Sequence, residues 1–237
     1  MTTDTKASWH RNLFEHRSAL FAVAMTVAIS IGGIVEIVPM YTLAAKADTL
    51  AGVTPYTPLE LAGRDIYVSE GCYNCHSQMV RPFRDETLRY GAWSRADEYQ
   101  FDRPFQLGSR RIGPDVHRLG GKYPDAWHWE HMRDPRSTSP GSIMPPYPWL
   151  YEKTYDVEDI QASMKAMQTL GVPYSDQDIA SAGENIQAQA AAIVANVGAT
   201  GATAKGDEQV VALIAYMQRL GVDGRAALEA EAKAGGQ

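Results

Sequence analysis

Cysteine is nearly absent: the 237 residues hold two, Cys72 and Cys75. A structural zinc site needs a second pair of ligands, and no further cysteine exists to supply it. Basic blocks are absent too. Lys and Arg number 22 against 28 Asp and Glu, which leaves a net charge of −6. A nucleic-acid binder needs a basic surface, so that class is excluded. No internal repeat breaks the chain into units.

What is present begins with one long apolar run, Ala19 to Tyr41, ALFAVAMTVAISIGGIVEIVPMY. A helix of about 20 apolar residues spans a hydrocarbon core. The run predicts a transmembrane anchor over 19–42. Lys6, Arg11 and Arg17 precede it, and only Lys46 follows before Arg64. That asymmetry places 1–18 in the cytoplasm and the rest across the membrane. The rival reading is a cleaved signal peptide, with Ala45-Lys46-Ala47 as its cleavage site. The run exceeds the about 7–15 residues of a signal core, and its leader carries Asp4 and Glu15. Glu36 is its one ionisable residue. It either reaches water at the interface or meets a polar group of a partner.

After the run, 43–58 reads as a linker, with Gly52, Pro55 and Pro58. Thr57, Pro58 and Glu60 then form a helix start with cap, N1 and N3 residues in place. The helix brings Leu59, Ala62, Ile66 and Tyr67 to one face and delivers the chain to Cys72. The stretch 77–112 mixes charge and aromatics and supports no assignment. Helices are expected at Asp125–Met132, at Val157–Leu170, from a Ser175 cap to about Val197, and as an amphipathic Glu208–Leu220. GATGATAKGD reads as a flexible linker, and 223–237 as a solvated, poorly ordered tail.

The chemistry concentrates in Cys72-Tyr73-Asn74-Cys75-His76. A redox cysteine pair would need a βαβ setting, whereas the flanks read as helical. C-x-x-C-H is the signature of covalent haem attachment. Two thioethers hold the porphyrin, and His76 reaches the iron from the same turn. The sixth ligand must come from elsewhere. Met79 is too close to His76 to reach the opposite face. Met164, Met167 and Met217 sit at helical spacing and suit packing. Met144 stands in SIMPPYPW, where prolines stiffen the loop and lower the entropy lost on ligation. Met144 is therefore favoured, with Met132, His128, His131 and His117 as the alternatives. A Met/His pair closes both axial positions and suits electron transfer. Pro114, in Gly113-Pro114-Asp115, offers a carbonyl to orient the ligand histidine, or simply starts a turn.

With those residues placed, the chain resembles the mono-haem subunit (subunit II) of cbb3-type cytochrome c oxidases. The likeness runs through GGIVEIVP, EGCYNCHSQMVRPFRDETLRYG, RPFQLGSRRIGPDVHRLGGKY, DAWHWEHMRDPR, MPPYPWL and MQTLGVPYSDQDI. It implies a mainly α chain: one transmembrane helix, then a cytochrome c-like helical domain over 59–222 with long irregular loops. A helical insertion is expected at about 152–206. The resemblance implies one haem c on Cys72, Cys75, His76 and Met144. It also implies a large haem b/copper catalytic subunit that reduces dioxygen, a di-haem cytochrome c subunit, and a calcium ion near the large subunit. The expected setting is the bacterial inner membrane and its respiratory chain, with the haem domain periplasmic.

Three functions compete at this point: an oxidase electron-transfer subunit, a membrane-tethered cytochrome that shuttles alone, and a haem enzyme or gas sensor. Arg81, Arg84, Tyr90, Trp93 and Tyr99 give 77–112 the composition of a protein interface, which favours the first. Met144 ligation denies the open iron that the third requires.

Overall fold

The computed structural model describes Arg11, 16–44, 50–106, Gly108 and 110–235. Most of the expected cytoplasmic segment 1–18, and the Ala45-Lys46-Ala47 site in the linker, lie outside the described residues. The chain divides into two compact units, Met1–Asp48 and Thr49–Gln237.

The first unit is helix α1, Ser18–Ala44. Its Ser18–Pro39 stretch, 22 residues, is long and apolar enough to cross a membrane, with no part of it buried in the protein. Leu20, Phe21, Val23, Ile29 and Val35 all face outward. A helix that exposes aliphatic side chains all round has its solvent in lipid. Glu36 is exposed on it.

The second unit is helical, with no strand among the described residues. Helix α2, Pro58–Ser69, opens on the expected capping box: the Glu60 amide donates to Thr57 Oγ1, and the Thr57 amide to the Glu60 carboxylate. Then come α3 (Arg84–Tyr90), α4 (Asp125–Arg133), the short α5 (Pro135–Thr138) and α6 (Val157–Thr169). Short α7 (Asp176–Ala180) and α8 (Ala182–Gly198) follow, then α9 (Gln209–Arg219) and α10 (Val222–Gly235). The helix expected from Ser175 to about Val197 is thus two pieces, broken at Ser181.

Helices α2 and α9 cross at the centre. A Cβ on Gly63 would lie 1.9 Å from the Ala212 carbonyl oxygen, so the backbones meet where only hydrogen fits. Tyr216 of α9 packs on Tyr56 and Tyr67 at ring distances of 5.6 and 5.5 Å. Every residue from Val210 to Met217 is buried. The amphipathic reading of this helix therefore fails: α9 is covered on several sides, by α2, α4 and α8.

Ile160, Met164, Met167, Ile186, Ala190, Ile193 and Val197 of α6 and α8 join that same core. The expected tail without order is instead α10. It is tied down by an ion pair of Arg95 with Glu231 at 2.6 Å, and by Arg225 donating to the Gly120 carbonyl at 2.6 Å. Its own Ala227 is buried. The GATGATAKGD stretch also touches the core, through Ala202 and Ala204.

Candidate functional site

Helix α2 ends at Ser69, and Gly71 turns the chain with φ +70° into a tight 3₁₀ turn, Cys72–Asn74. The amides of Cys75 and His76 both donate to the Cys72 carbonyl, at 3.1 and 3.0 Å. That turn sets the two cysteines and the histidine against one cavity of about 640 Å³. The volume falls in the range of small-molecule and cofactor sites. No disulfide joins Cys72 to Cys75. Burial, with Glu70 nearby, pushes the Cys72 thiol up to about 12. A redox-active cysteine pair works through a depressed thiol pKa, so this shift opposes that reading.

The loop 113–117 runs beside the turn. Gly113 N donates to the Cys75 carbonyl at 3.0 Å, and Val116 N to the Ser77 carbonyl at 2.9 Å. His76 Nδ1 sits 2.8 Å from the Pro114 carbonyl oxygen. A carbonyl can only accept, so Nδ1 carries the proton and Nε2 keeps its lone pair free. A neutral imidazole with a free Nε2 is the form that binds a metal. The imidazole fills the space above Gly113, where a Cβ would come within 2.2 Å of His76 Cε1.

Asp115 locks the two segments together. Its carboxylate accepts from Ser77 Oγ at 2.6 Å, from Met79 N at 2.8 Å and from His117 N at 2.9 Å. Sequence reasoning assigned it no role. The Gly-Pro-Asp run was visible, but the closure of Asp115 onto the segment after His76 is a tertiary contact that local pattern does not report.

Of the ligand candidates, Met144, Met132, Met217, His128 and His131 line the cavity, while Met79, Met164, Met167 and His117 do not. Met217 is buried in α9 and forms the cavity floor as well as core. His128 Nε2 is sealed from solvent and has no hydrogen-bond partner, so it does not present that nitrogen to the cavity. Burial holds its pKa down at about 4. His131 is stacked on Trp127 at 4.4 Å, and its Nδ1 meets Thr138 Oγ1 at 2.6 Å. His117 is fully engaged, by Tyr99 at Nδ1 and Glu98 at Nε2. Met144 sits in a loop pinned at both ends: Tyr147 N donates to the Met132 carbonyl at 2.9 Å, and Arg136 Nε to the Ser142 carbonyl at 3.2 Å.

The sequence pattern of the cytochrome C oxidase, mono-heme subunit/FixO family matches residues 10–223. The chain belongs to that family. No curated protein matches it. Family membership makes the chain a subunit of a cytochrome c oxidase complex that works in electron transfer, and it implies one haem and partner oxidase subunits. With α1, it also makes the protein membrane-anchored.

The residues present fit a haem. The cavity is of cofactor size, it holds the only two cysteines, and Gly113 leaves room for an imidazole already in its metal-binding tautomer. A calcium ion is a different matter. Among the described residues no three His, Cys, Asp or Glu side chains gather to hold a metal ion.

Proposed function

We propose that this subunit carries one covalently bound haem c and passes electrons toward the haem b/copper subunit that reduces dioxygen. The observation that carries the reading is the meeting of Cys72, Cys75, His76 and Met144 at one cavity, with the His76 ring oriented by Pro114. When bound, the haem supplies a one-electron carrier that cycles between ferric and ferrous iron.

The protein's own work is positional. Cys72 and Cys75 fix the porphyrin edge through thioethers. His76 Nε2 and the Met144 sulfur would hold the iron. Pro114 holds the tautomer and orientation of the imidazole. Tyr67, Leu213 and Met217 wall off the buried side of the cavity from water. Iron held by both His76 and Met144 would favour electron exchange over substrate binding.

The anchor runs with its N-terminus in the cytoplasm, and the haem unit lies on the periplasmic side. Partners are the large catalytic subunit and a di-haem cytochrome c subunit. Phe83, Leu88, Trp93 and Phe105 support this, because large apolar side chains 40–75% exposed on one irregular segment suit a protein interface. A cytochrome that shuttles alone has no use for them.

Solubilisation in mild detergent tests the reading. The chain should co-purify with polypeptides containing haem b and copper, and the dithionite-reduced spectrum of the isolated chain, separated from them, should be unchanged by carbon monoxide. Purification alone would favour the stand-alone shuttle, and a carbon monoxide shift would favour an open-site haem protein.

A further inference from the structure

We propose that Arg89 and Lys122 form the seat of the two haem propionates. The inference rests on the haem-binding reading above and deepens it. Three cationic side chains line the cavity: Arg89, Arg118 and Lys122. Arg118 is already committed. Its side chain is buried, it grips both carboxylate oxygens of Glu98, and it donates to the carbonyls of Ala92 and Trp93 at 2.9 and 3.1 Å.

Arg89 and Lys122 make no ion pair among the described residues. Each instead lies against the ring of the tyrosine that follows it in sequence. The Arg89 guanidinium is 5.2 Å from the Tyr90 ring centre, and Lys122 Nζ is 5.6 Å from that of Tyr123. Both tyrosines line the same cavity.

Among the described residues, nothing in the lining offsets these two charges. The one carboxylate there, Asp115, has no exposed side-chain surface and is consumed by Ser77, Met79 and His117. Burial lowers the pKa of His128 and of His131 and so opposes their charging. The cavity therefore carries two uncompensated positive charges, the complement of a group with two carboxylates.

Their placement also fits. All three cations come from the 89–122 stretch, and none from the segments around Cys72 or Met144. Arg118, by holding Ala92 and Trp93, brings the end of α3 beside the segment that carries Lys122. A porphyrin attached by thioethers at its vinyl positions directs its propionates to the opposite edge. At the cysteine end the nearest charge is the Glu70 carboxylate, which accepts from Trp149 Nε1 at 3.0 Å and would repel a propionate.

Paired cations keep carboxylates ionised through the neutral range. The haem potential should then be independent of pH there. Without the cations, the propionates take up protons more readily when the iron is reduced, and the potential becomes linked to pH. The test is spectroelectrochemical titration of the full-length subunit in detergent across neutral pH, for wild type and for Arg89→Gln with Lys122→Gln. Haem content is measured separately by the pyridine haemochrome.

A flat wild-type profile, with a lower potential that falls as pH rises in the double variant, is the expected result. The charge-keeping pair Arg89→Lys with Lys122→Arg should restore the flat profile, and Arg84→Gln, an exposed cation off the cavity, should leave it untouched. If the double variant loses its haem, each single variant should show part of the same slope. Full haem content with unchanged profiles in all variants would overturn the seat while leaving the haem reading intact. Absence of haem from the wild type would overturn both.

Discussion

His76 donates its Nδ1 proton to the Pro114 carbonyl across 2.8 Å, and the absence of a side chain at Gly113 leaves the room in which that ring lies. A methyl at Gly113 would sit 2.2 Å from His76 Cε1 and 2.8 Å from Nε2. Gly113→Ala should therefore displace the imidazole, weaken its bond to iron and lower the haem potential, while thioether attachment persists. Absorption and potentiometry of the variant check this. An unaltered spectrum would mean that the ring is free to move without cost.

Met144→Ala should abolish the weak near-infrared band of the oxidised protein that reports sulfur bound to iron. It should also lower the potential, because a thioether favours the reduced metal. Met132→Ala and Met79→Ala should keep the band. Met132 and Met217 line the same cavity, so loss of the band in Met132→Ala with survival in Met144→Ala would reassign the ligand.

Glu98 is held by Arg118 and His117, which overcome the cost of its burial and draw its pKa down to about 2. A depressed carboxylate contributes stability that is complete above its unfolded pKa. That contribution is lost as pH falls from the usual carboxylate range toward about 2. Glu98→Gln should flatten this part of the acid-unfolding curve. Arg118→Leu strips the buried Glu98 carboxylate of its guanidinium partner and should cost about 3–5 kcal/mol, measured by denaturant unfolding.

Gly63→Ala tests the α2–α9 crossing. Its Cβ would meet the Ala212 carbonyl at 1.9 Å and the Tyr216 Cβ at 2.8 Å. Overpacking of this kind costs about 1–3 kcal/mol, and here the clash is with backbone. The midpoint of thermal unfolding should fall, with the haem spectrum of the surviving folded protein unchanged.

The parts of this fold that were legible are those written locally. The Thr57–Glu60 capping box lies within one turn, and Leu59, Ala62, Ile66 and Tyr67 are buried as their spacing suggests, but Leu61, Gly63 and Arg64 on the other sides of α2 are buried too. The contact of the His76 ring with the Pro114 carbonyl is legible because proline has an acceptor and no competing N–H. What remained hidden is set by contacts distant in sequence. Helix α9 looks one-sided by composition, yet α2, α4 and α8 bury nearly all of it. The Ala-rich tail has no apolar stripe to announce a helix, but Arg95, more than a hundred residues earlier, binds Glu231 in it. The stretch 77–112 has little periodicity because its order comes from buried ionic contacts, such as Glu98 with Arg118 and Arg64 with Asp102. His117 is a ligand candidate by residue type alone, and the distant Tyr99 and Glu98 side chains occupy both its ring nitrogens.

Covalent attachment of one haem through Cys72 and Cys75 is the claim on which the rest depends, and intact-mass spectrometry of the denatured full-length chain tests it most directly. The account predicts a single species heavier than the polypeptide by one haem, resistant to acid-acetone extraction, and reduced to the bare polypeptide mass in Cys72→Ser with Cys75→Ser. A wild-type chain at polypeptide mass, or one that gives up its haem to acid-acetone, would contradict it.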